Sequence, residues 1–369
     1  MDLEPGAIVG DRYVVQGLLG RGGMGAVHSA IDTKFGIEVA LKVAAAAGDP
    51  RAFRARFVRE ARIGNRLGRA SGFVRAFDWG ELEGGARLWL ALDLVVGAAP
   101  LDLVGGEREA RLDRLVTAAA LVGRAHDQGV VHRDVKPANF LVGGDGAVWL
   151  SDFGLAKVDD DQRDLFDDLD AGDVTRTLEA MGTPRYMAPE QFEDAKRVDR
   201  RADVYSLGVM LYHALTGAFP YGSAGLGELI RGHERVRLGS APPPRPRDRD
   251  PDLEPALDEV CARALAVAPD DRYDAVDDLL AALRSARARG AAGRGRPPRR
   301  RGGARPRRRP RPRACRRRSA CALGRCRASR RSSTRPTAPS SCGSRRPRSS
   351  WAPATTPPRR PRGRRTGSS

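Results

Sequence analysis

Gly20-Arg21-Gly22-Gly23-Met24-Gly25-Ala26-Val27 has the spacing G-x-G-x-x-G-x-V. Positions without a Cβ let backbone N–H groups approach phosphate oxygens closely, which is the chemistry this run can do. Alone, the run equally fits a dinucleotide-binding turn or a turn that binds nothing. A dinucleotide turn opens a helix, whereas here Ala26 to Ile31 reads on as a strand and a second strand delivers Lys42 within Val39-Ala40-Leu41-Lys42. Downstream stands His132-Arg133-Asp134-Val135-Lys136-Pro137-Ala138-Asn139, and thirteen residues after Asn139 comes Asp152-Phe153-Gly154. Ala188-Pro189-Glu190 closes the segment that follows. Each triplet can arise by chance; their joint occurrence in this order is hard to assign to coincidence.

The elements that must position these residues are legible from periodicity. Val39, Leu41 and Val43 alternate with Ala40 and Lys42, the period of a half-buried strand. Phe53, Phe57, Glu60, Ile63 and Leu67 follow helical spacing, as do Leu112, Leu115, Val116, Ala119 and Val122 in a helix that ends near Gly129. Phe140 to Val142 and Val148 to Leu150 form two short strands around Gly143-Gly144-Asp145-Gly146, a hairpin signal. Val204 to Leu215 and Leu257 to Val267 read as later helices, with the Pro-rich loop Ala241 to Pro251 between them.

From about Asp11 to Leu283 the motifs together resemble the protein kinase family, specifically the eukaryotic-like serine/threonine kinases of bacteria. The resemblance implies an α+β, two-lobed fold: an N-lobe at 11–94 with a small antiparallel sheet and one main helix, and a larger, mostly helical C-lobe at 95–285. Residues 1–10 are then an N-terminal flank and 286–369 a disordered tail. The implied activity is transfer of the γ-phosphate of ATP, with Mg²⁺, to Ser or Thr hydroxyls of protein substrates. By the same resemblance Lys42 holds the α- and β-phosphates and Glu60 pairs with it. Asp134 orients the substrate hydroxyl and takes its proton, and Lys136 neutralises the γ-phosphate during transfer. Asn139 and Asp152 are the metal ligands. Leu19, Gly20, Gly22, Gly23 and Gly25 cover the nucleotide, Val27 and Ala40 lie above the adenine and Leu141 below it, and Asp93 to Val95 form the connection whose backbone binds the base. Leu92 falls at the gatekeeper position. Gly64, one turn past Glu60, is expected to pack poorly where a larger apolar residue would brace the helix.

Regulation is also implied. The 33 residues between Gly154 and Ala188 hold nine acidic and four basic side chains, with Thr175, Thr177 and Thr183. Arg133 and Lys157 resemble the cationic pocket that accepts an activation-loop phosphate, and autophosphorylation is expected on Thr175 and Thr177. A homodimer acting in trans would serve that step. Thr183 matches the threonine whose hydroxyl supports Asp134 and Lys136. Glu190 and Arg272 look like a tethering ion pair, and Asp203 like the helix N-terminal aspartate that holds the catalytic-loop backbone. Two rival readings are a nucleotide-binding pseudokinase used as a scaffold, and a nucleic-acid-binding protein acting through its tail.

Composition bounds the rest. Residues 290–369 contain 27 arginines and no Lys, Asp or Glu, leaving 38 basic against 46 acidic residues in 1–289. The pI of 10.8 therefore describes the tail. Such a polycation would bind polyanions without sequence preference, and it has too few apolar residues for a core. Apart from Leu323, the tail uses only Ala, Gly, Pro, Arg, Ser, Thr, Cys and Trp. All eight have codons with G or C in the second position, the alphabet of a GC-rich gene read in a slipped frame, so a frameshift after Leu283 is expected. No window approaches the length of apolar run needed to cross a membrane, and Met1 to Gly10 lacks signal-peptide order, so a cytoplasmic protein is expected unless a slipped frame hides an anchor. Four of the five cysteines lie in the tail at spacings that match no zinc site. Cys261 reads as a small buried apolar residue.

Overall fold

The computed structural model describes residues 3–22, 25–45, 50–67, 72–153, 157–158, 184–193, 198–222 and 226–294. The chain divides into a unit at Met1–Arg301 and a second at Gly302–Ser369, which lies outside the described residues. The expectations for the tail beyond Arg294 fall on residues outside the described set.

Six antiparallel strands build the N-lobe sheet: β1 (Ile8–Val9), β2 (Tyr13–Gly22), β3 (Gly25–Asp32), β4 (Ile37–Ala45), β5 (Ala76–Leu82) and β6 (Arg87–Asp93), in the order β1-β2-β3-β4-β6-β5. Val15, Ala30, Val39, Leu41, Val43, Trp89 and Ala91 bury one face as a small core, as strand alternation requires. Of the flank expected at 1–10, Ile8 and Val9 belong to this sheet: β1 pairs with β2, and Leu3 N–H donates to His28 Nε2 at 3.2 Å.

Helix α1 (Pro50–Leu67) packs Phe57, Ile63 and Leu67 inward. Gly64 corrects the expectation of poor packing. A Cβ there would lie 2.7 Å from Ala76 N, so α1 rests on β5 only because the position is empty. A larger residue would push the helix away from the sheet rather than brace it.

The C-lobe holds α2 (Arg108–Asp127), α3 (Glu190–Glu193), α4 (Arg201–Thr216), α5 (Leu226–Arg237), α6 (Pro255–Ala264) and α7 (Val276–Arg294), and α2, α4, α6 and α7 supply the helical part of its core. Leu112, Leu115, Ala119 and Val122 of α2 are buried as their spacing predicts. Helix α4 is buried nearly all round and forms the lobe's axis. Between α2 and α3 run short strands: β8 (Val130–Val131), β9 (Phe140–Val142), β10 (Val148–Leu150) and β11 (Lys157–Val158). Strands β9 and β10 form the expected hairpin, with β7 (Ala99–Pro100) on the other side of β9.

Two element ends differ from expectation. Helix α6 stops at Ala264 rather than Val267: the Ala266 N–H turns to Arg263 O at 3.2 Å, and beyond the helix end the Ala266 and Val267 carbonyls accept from Arg272 Nε at 2.8 Å and Nη2 at 3.0 Å. Helix α7 continues to Arg294, past the domain edge expected at residue 285, since Leu283 and Ala286 extend its buried side. Among the described residues, no helix is long and apolar enough to cross a membrane.

Arg272 is 1% exposed and donates to both Glu190 carboxylate oxygens, at 2.6 and 2.8 Å, and to Arg201 O at 3.0 Å. Removing one member leaves the other charge buried without its counter-ion. Arg272→Ala is expected to lower the unfolding free energy by about 3–5 kcal/mol. Urea denaturation of the full chain measures this, and a loss below about 1 kcal/mol, the scale of an exposed pair, contradicts it.

Candidate active site

The loop from His132 to Asn139 has little regular structure of its own and must be held from outside. Asp203, in the first turn of α4 and 0% exposed, does this. Its Oδ2 accepts from His132 N–H at 2.8 Å and its Oδ1 from Arg133 N–H at 2.8 Å; His126 Nε2 of α2 lies 2.8 Å from Oδ2. Burial opposes ionisation of Asp203. The His126 hydrogen bond and the nearby imidazoles outweigh it and hold the carboxyl below its usual range.

His132 links this loop to the next motif. Its Nε2 lies 3.1 Å from Ser151 O and its Nδ1 accepts from Asp134 N–H at 3.3 Å, which assigns the ring proton to Nε2. Phe153 is buried and stands edge-to-face on Phe73, with centroids 5.8 Å apart, and tilted on His132 at 5.0 Å. Arg133 and Asp152 both have positive φ, 64° and 66°, a conformation that non-glycine residues adopt at a cost and keep where surrounding bonds over-determine them. Those bonds are visible: Gln191 Nε2 donates to Arg133 O at 2.8 Å, and Arg133 Nη2 to Val198 O at 3.0 Å.

Five charged or amide side chains are brought together. Lys136 Nζ donates to Asp134 Oδ2 at 2.7 Å, and Asn139 Nδ2 to Asp134 O at 2.7 Å and Asp134 Oδ2 at 3.1 Å. From the other lobe, Lys42 Nζ donates to Asp152 Oδ1 at 3.1 Å. Strand register delivers Lys42: it pairs with Val27 on β3 and Leu90 on β6, and Ala40, two residues along, shares its face. Burial lifts the Asp134 carboxyl above its ordinary range; Lys136 opposes this and the Asp152 charge adds to it. Asp152 moves the other way, held low chiefly by Lys42 against burial.

The remaining expected positions are placed as follows. Leu19, Gly20 and Gly22 end β2, and Gly25 and Val27 open β3. Gly25 has φ 155°, and a Cβ there would meet Val43 O at 2.1 Å, so this turn admits only glycine. Leu92 and Asp93 end β6; the Asp93 carboxylate takes Arg75 N–H at 3.1 Å and the Arg75 guanidinium at 3.3 Å. Leu141 lies on β9. Glu60 lies on α1 and Lys157 on β11, opposite Val131, with their side chains outside the described set. Gly23, Thr175, Thr177 and Thr183 lie outside the described residues. Sequence reasoning missed His126 and Gln191. Neither sits in a quoted motif, and the signal for each is its contact across the fold.

Asp203 supplies a testable consequence. Because its folded pKa is depressed, its stabilisation is full above the ordinary carboxylate range and disappears as pH falls through the folded value. Asp203→Asn is expected to cost about 2–4 kcal/mol at pH 7, the loss of charge-assisted bonds at a buried site. The gap to wild type should begin to narrow below about pH 5, as the carboxylate of the unfolded chain takes up its proton, and close only below the depressed folded value. Equal gaps at pH 7 and pH 3 in urea unfolding contradict this assignment.

Comparison with known proteins agrees with the geometry. The chain is 37% identical over 291 residues to serine/threonine-protein kinase PknH of Mycobacterium bovis, covering 77% of this chain and 45% of that protein. It is 36% identical over 282 residues to serine/threonine-protein kinase PknB of Mycolicibacterium smegmatis, covering 74% and 42%. It thus spans less than half the length of these curated relatives. The crystal structure of the Mycobacterium tuberculosis PknI kinase domain superposes with a TM-score of 0.54 at 28% identity, covering 77% of this chain and all of that one. Residues 13–281 match the model of the protein kinase domain, and the chain belongs to that family.

Proposed function

We propose that the chain is a protein-serine/threonine kinase that uses MgATP. The observation that carries the reading is the convergence of Lys42 with Asp152, and of Lys136 and Asn139 with Asp134, around one cleft between the sheet and the helical lobe. An ATP polyphosphate meets backbone N–H groups of the turn at Gly20 to Gly25 on one side and Lys42 on the other. Val27, Ala40 and Leu141 supply apolar surface for the base, and the backbone from Asp93 to Val95 its polar contacts.

The donor set fits a hard, octahedral cation bound partly through substrate. Among the described residues no cluster of three or more His, Cys, Asp or Glu side chains could hold a metal alone. One carboxylate and one carboxamide, Asp152 and Asn139, are what such an ion takes when phosphate oxygens complete its shell. Asn139 uses its amide nitrogen on Asp134, which leaves its oxygen for the metal. Bound there, Mg²⁺ would neutralise charge on the transferring phosphate.

A substrate Ser or Thr hydroxyl beside Asp134 attacks the γ-phosphorus. The bond to the β,γ-bridging oxygen breaks, ADP leaves, and the hydroxyl proton passes to Asp134. A carboxyl whose pKa is raised by burial is a better acceptor than one in water. Lys136 offsets the negative charge spreading over the γ-phosphoryl oxygens. Arg133, already fixed by Val198 O and Gln191, and Lys157 on β11 would receive a phosphate on Thr175 or Thr177, with Thr183 supporting Asp134. Phosphorylation in trans by a second copy would supply that phosphate.

Asp134→Asn is expected to lower kcat for γ-³²P transfer to protein by at least about a hundredfold, the scale of a lost general base, with KM for ATP little changed. Retained turnover in the variant contradicts the role of Asp134; absence of transfer in wild type, with nucleotide still bound, favours the scaffold reading. Thr175→Ala with Thr177→Ala is expected to reduce activity at least tenfold, about the scale of removing an ordering phosphate contact. Wild-type activity in that double variant contradicts the regulatory reading.

A further inference from the structure

The connection between the lobes is held by side chains as well as by its own backbone. Asp93 ends β6, and its carboxylate is only 8% exposed. Oδ2 accepts the Arg75 N–H at 3.1 Å and Oδ1 accepts from Arg75 Nη2 at 3.3 Å, while the Asp93 N–H donates to Arg75 O at 2.9 Å. Three bonds thus join the first residue of the connection to the residue before β5. Strand pairing does not supply them: the β5–β6 ladder ends at Ala76 opposite Leu92, one step short of Arg75 and Asp93. The Arg75 guanidinium also lies 5.6 Å from the Phe77 ring centroid, which limits where the cation can swing.

We infer that this Arg75–Asp93 latch determines the choice of nucleobase, fixing the backbone from Asp93 to Val95 so that the cleft takes adenine and rejects guanine. The inference rests on the phosphotransfer reading above and adds to it the side-chain pair that sets the base.

The two purines present reversed patterns to a backbone. Adenine carries a 6-amino donor where guanine carries a 6-oxo acceptor. The ring nitrogen beside it is an acceptor in adenine and an N–H donor in guanine. Because the Asp93 N–H is taken by Arg75 O, the backbone group this residue offers a base is its carbonyl, an acceptor. A carbonyl held there meets the amine of adenine and opposes the oxygen of guanine. Such rejection depends on rigidity, since a backbone free to shift by one group presents an N–H in place of the carbonyl and the mismatch is relieved.

The far end of the connection is pinned by backbone alone. Val95 O accepts the Ala98 N–H at 3.3 Å, and Val96 O accepts the Gly144 N–H from the β9–β10 hairpin at 2.9 Å. Freedom to slip is therefore set at the Asp93 end, where a carboxylate does the holding. The segment that carries the latch also places the other end of the nucleotide. Val74 N–H donates to Leu150 O at 2.9 Å and Leu150 N–H to Gly72 O at 3.0 Å, two residues before Asp152. Ala76 N lies where α1 rests at Gly64. Through the latch, the groups that meet the base are positioned against the same five residues as the strand leading to the metal ligand.

Steady-state transfer to casein by the full chain, from MgATP and from MgGTP, gives the ratio of the two kcat/KM values. Wild type is expected to favour ATP by about a hundredfold or more. Asp93→Ala is expected to lower that ratio by about tenfold or more, through a KM that rises for ATP and falls for GTP. Arg75→Ala removes the guanidinium and leaves the backbone pair, so a smaller drop, about three- to fivefold, is expected. Equal weakening of both nucleotides in Asp93→Ala, with the ratio unchanged, marks a merely structural pair and overturns the inference, as does a wild type that uses GTP as readily as ATP. Should Asp93→Ala not fold, a wild-type ratio in Arg75→Ala overturns it. Transfer from neither nucleotide by wild type overturns the phosphotransfer reading and this inference with it.

Discussion

One buried carboxylate organises the catalytic half of this molecule. Asp203 sits where α4 begins, and three donors converge on it: two successive backbone amides of the loop and a histidine from α2. Without it, the His132 and Arg133 amides would be buried unpaired, each at a cost of about 1–3 kcal/mol, and the left-handed turn at Arg133 would lose what holds it. The stiffness of α4, buried nearly all round, is thus passed to Asp134 one residue beyond.

From that anchor the site spreads by short links. His132 joins the loop to Ser151 and touches Phe153, and Phe153 reaches Phe73 beneath the N-lobe sheet. Lys42 crosses from β4 to Asp152. The two carboxyls that face the cleft are driven apart in pKa by these surroundings, Asp134 upward by burial and Asp152 downward by its lysine. That division suits a proton acceptor beside a metal ligand. The Arg272–Glu190 pair then ties the segment after the activation loop to the base of the lobe.

Much of this was legible because local chemistry dictates it. Strand alternation around Lys42, the helical spacing of Leu112 to Val122 and the glycine-rich hairpin before Val148 each state their structure within ten residues or so. Asp203 and Arg272 were legible only through the family resemblance, since nothing nearby in sequence distinguishes them from surface residues. What stayed hidden depends on contacts between distant segments. His126 looks like one more polar residue near a helix end until α4 is placed against it. Gly64 reads as a packing defect until β5 is seen to occupy the space a side chain would need. Helix α6 carries a periodicity that runs on to Val267, yet the chain leaves the helix at Ala264 and Arg272 binds the Ala266 and Val267 carbonyls beyond its end. In each case a tertiary partner overrides a local preference.

The central claim is that Lys42, Asp134, Asn139 and Asp152 surround a single metal-bound triphosphate. A crystal structure of the full chain with Mg²⁺ and a non-hydrolysable ATP analogue tests it most directly. The expected result is a metal ligated by Asn139 and Asp152 at about 2.0–2.1 Å, Lys42 on the α- and β-phosphates, and Asp134 facing the γ-phosphate. An analogue bound elsewhere, or in the cleft with its metal held by neither Asn139 nor Asp152, would contradict it.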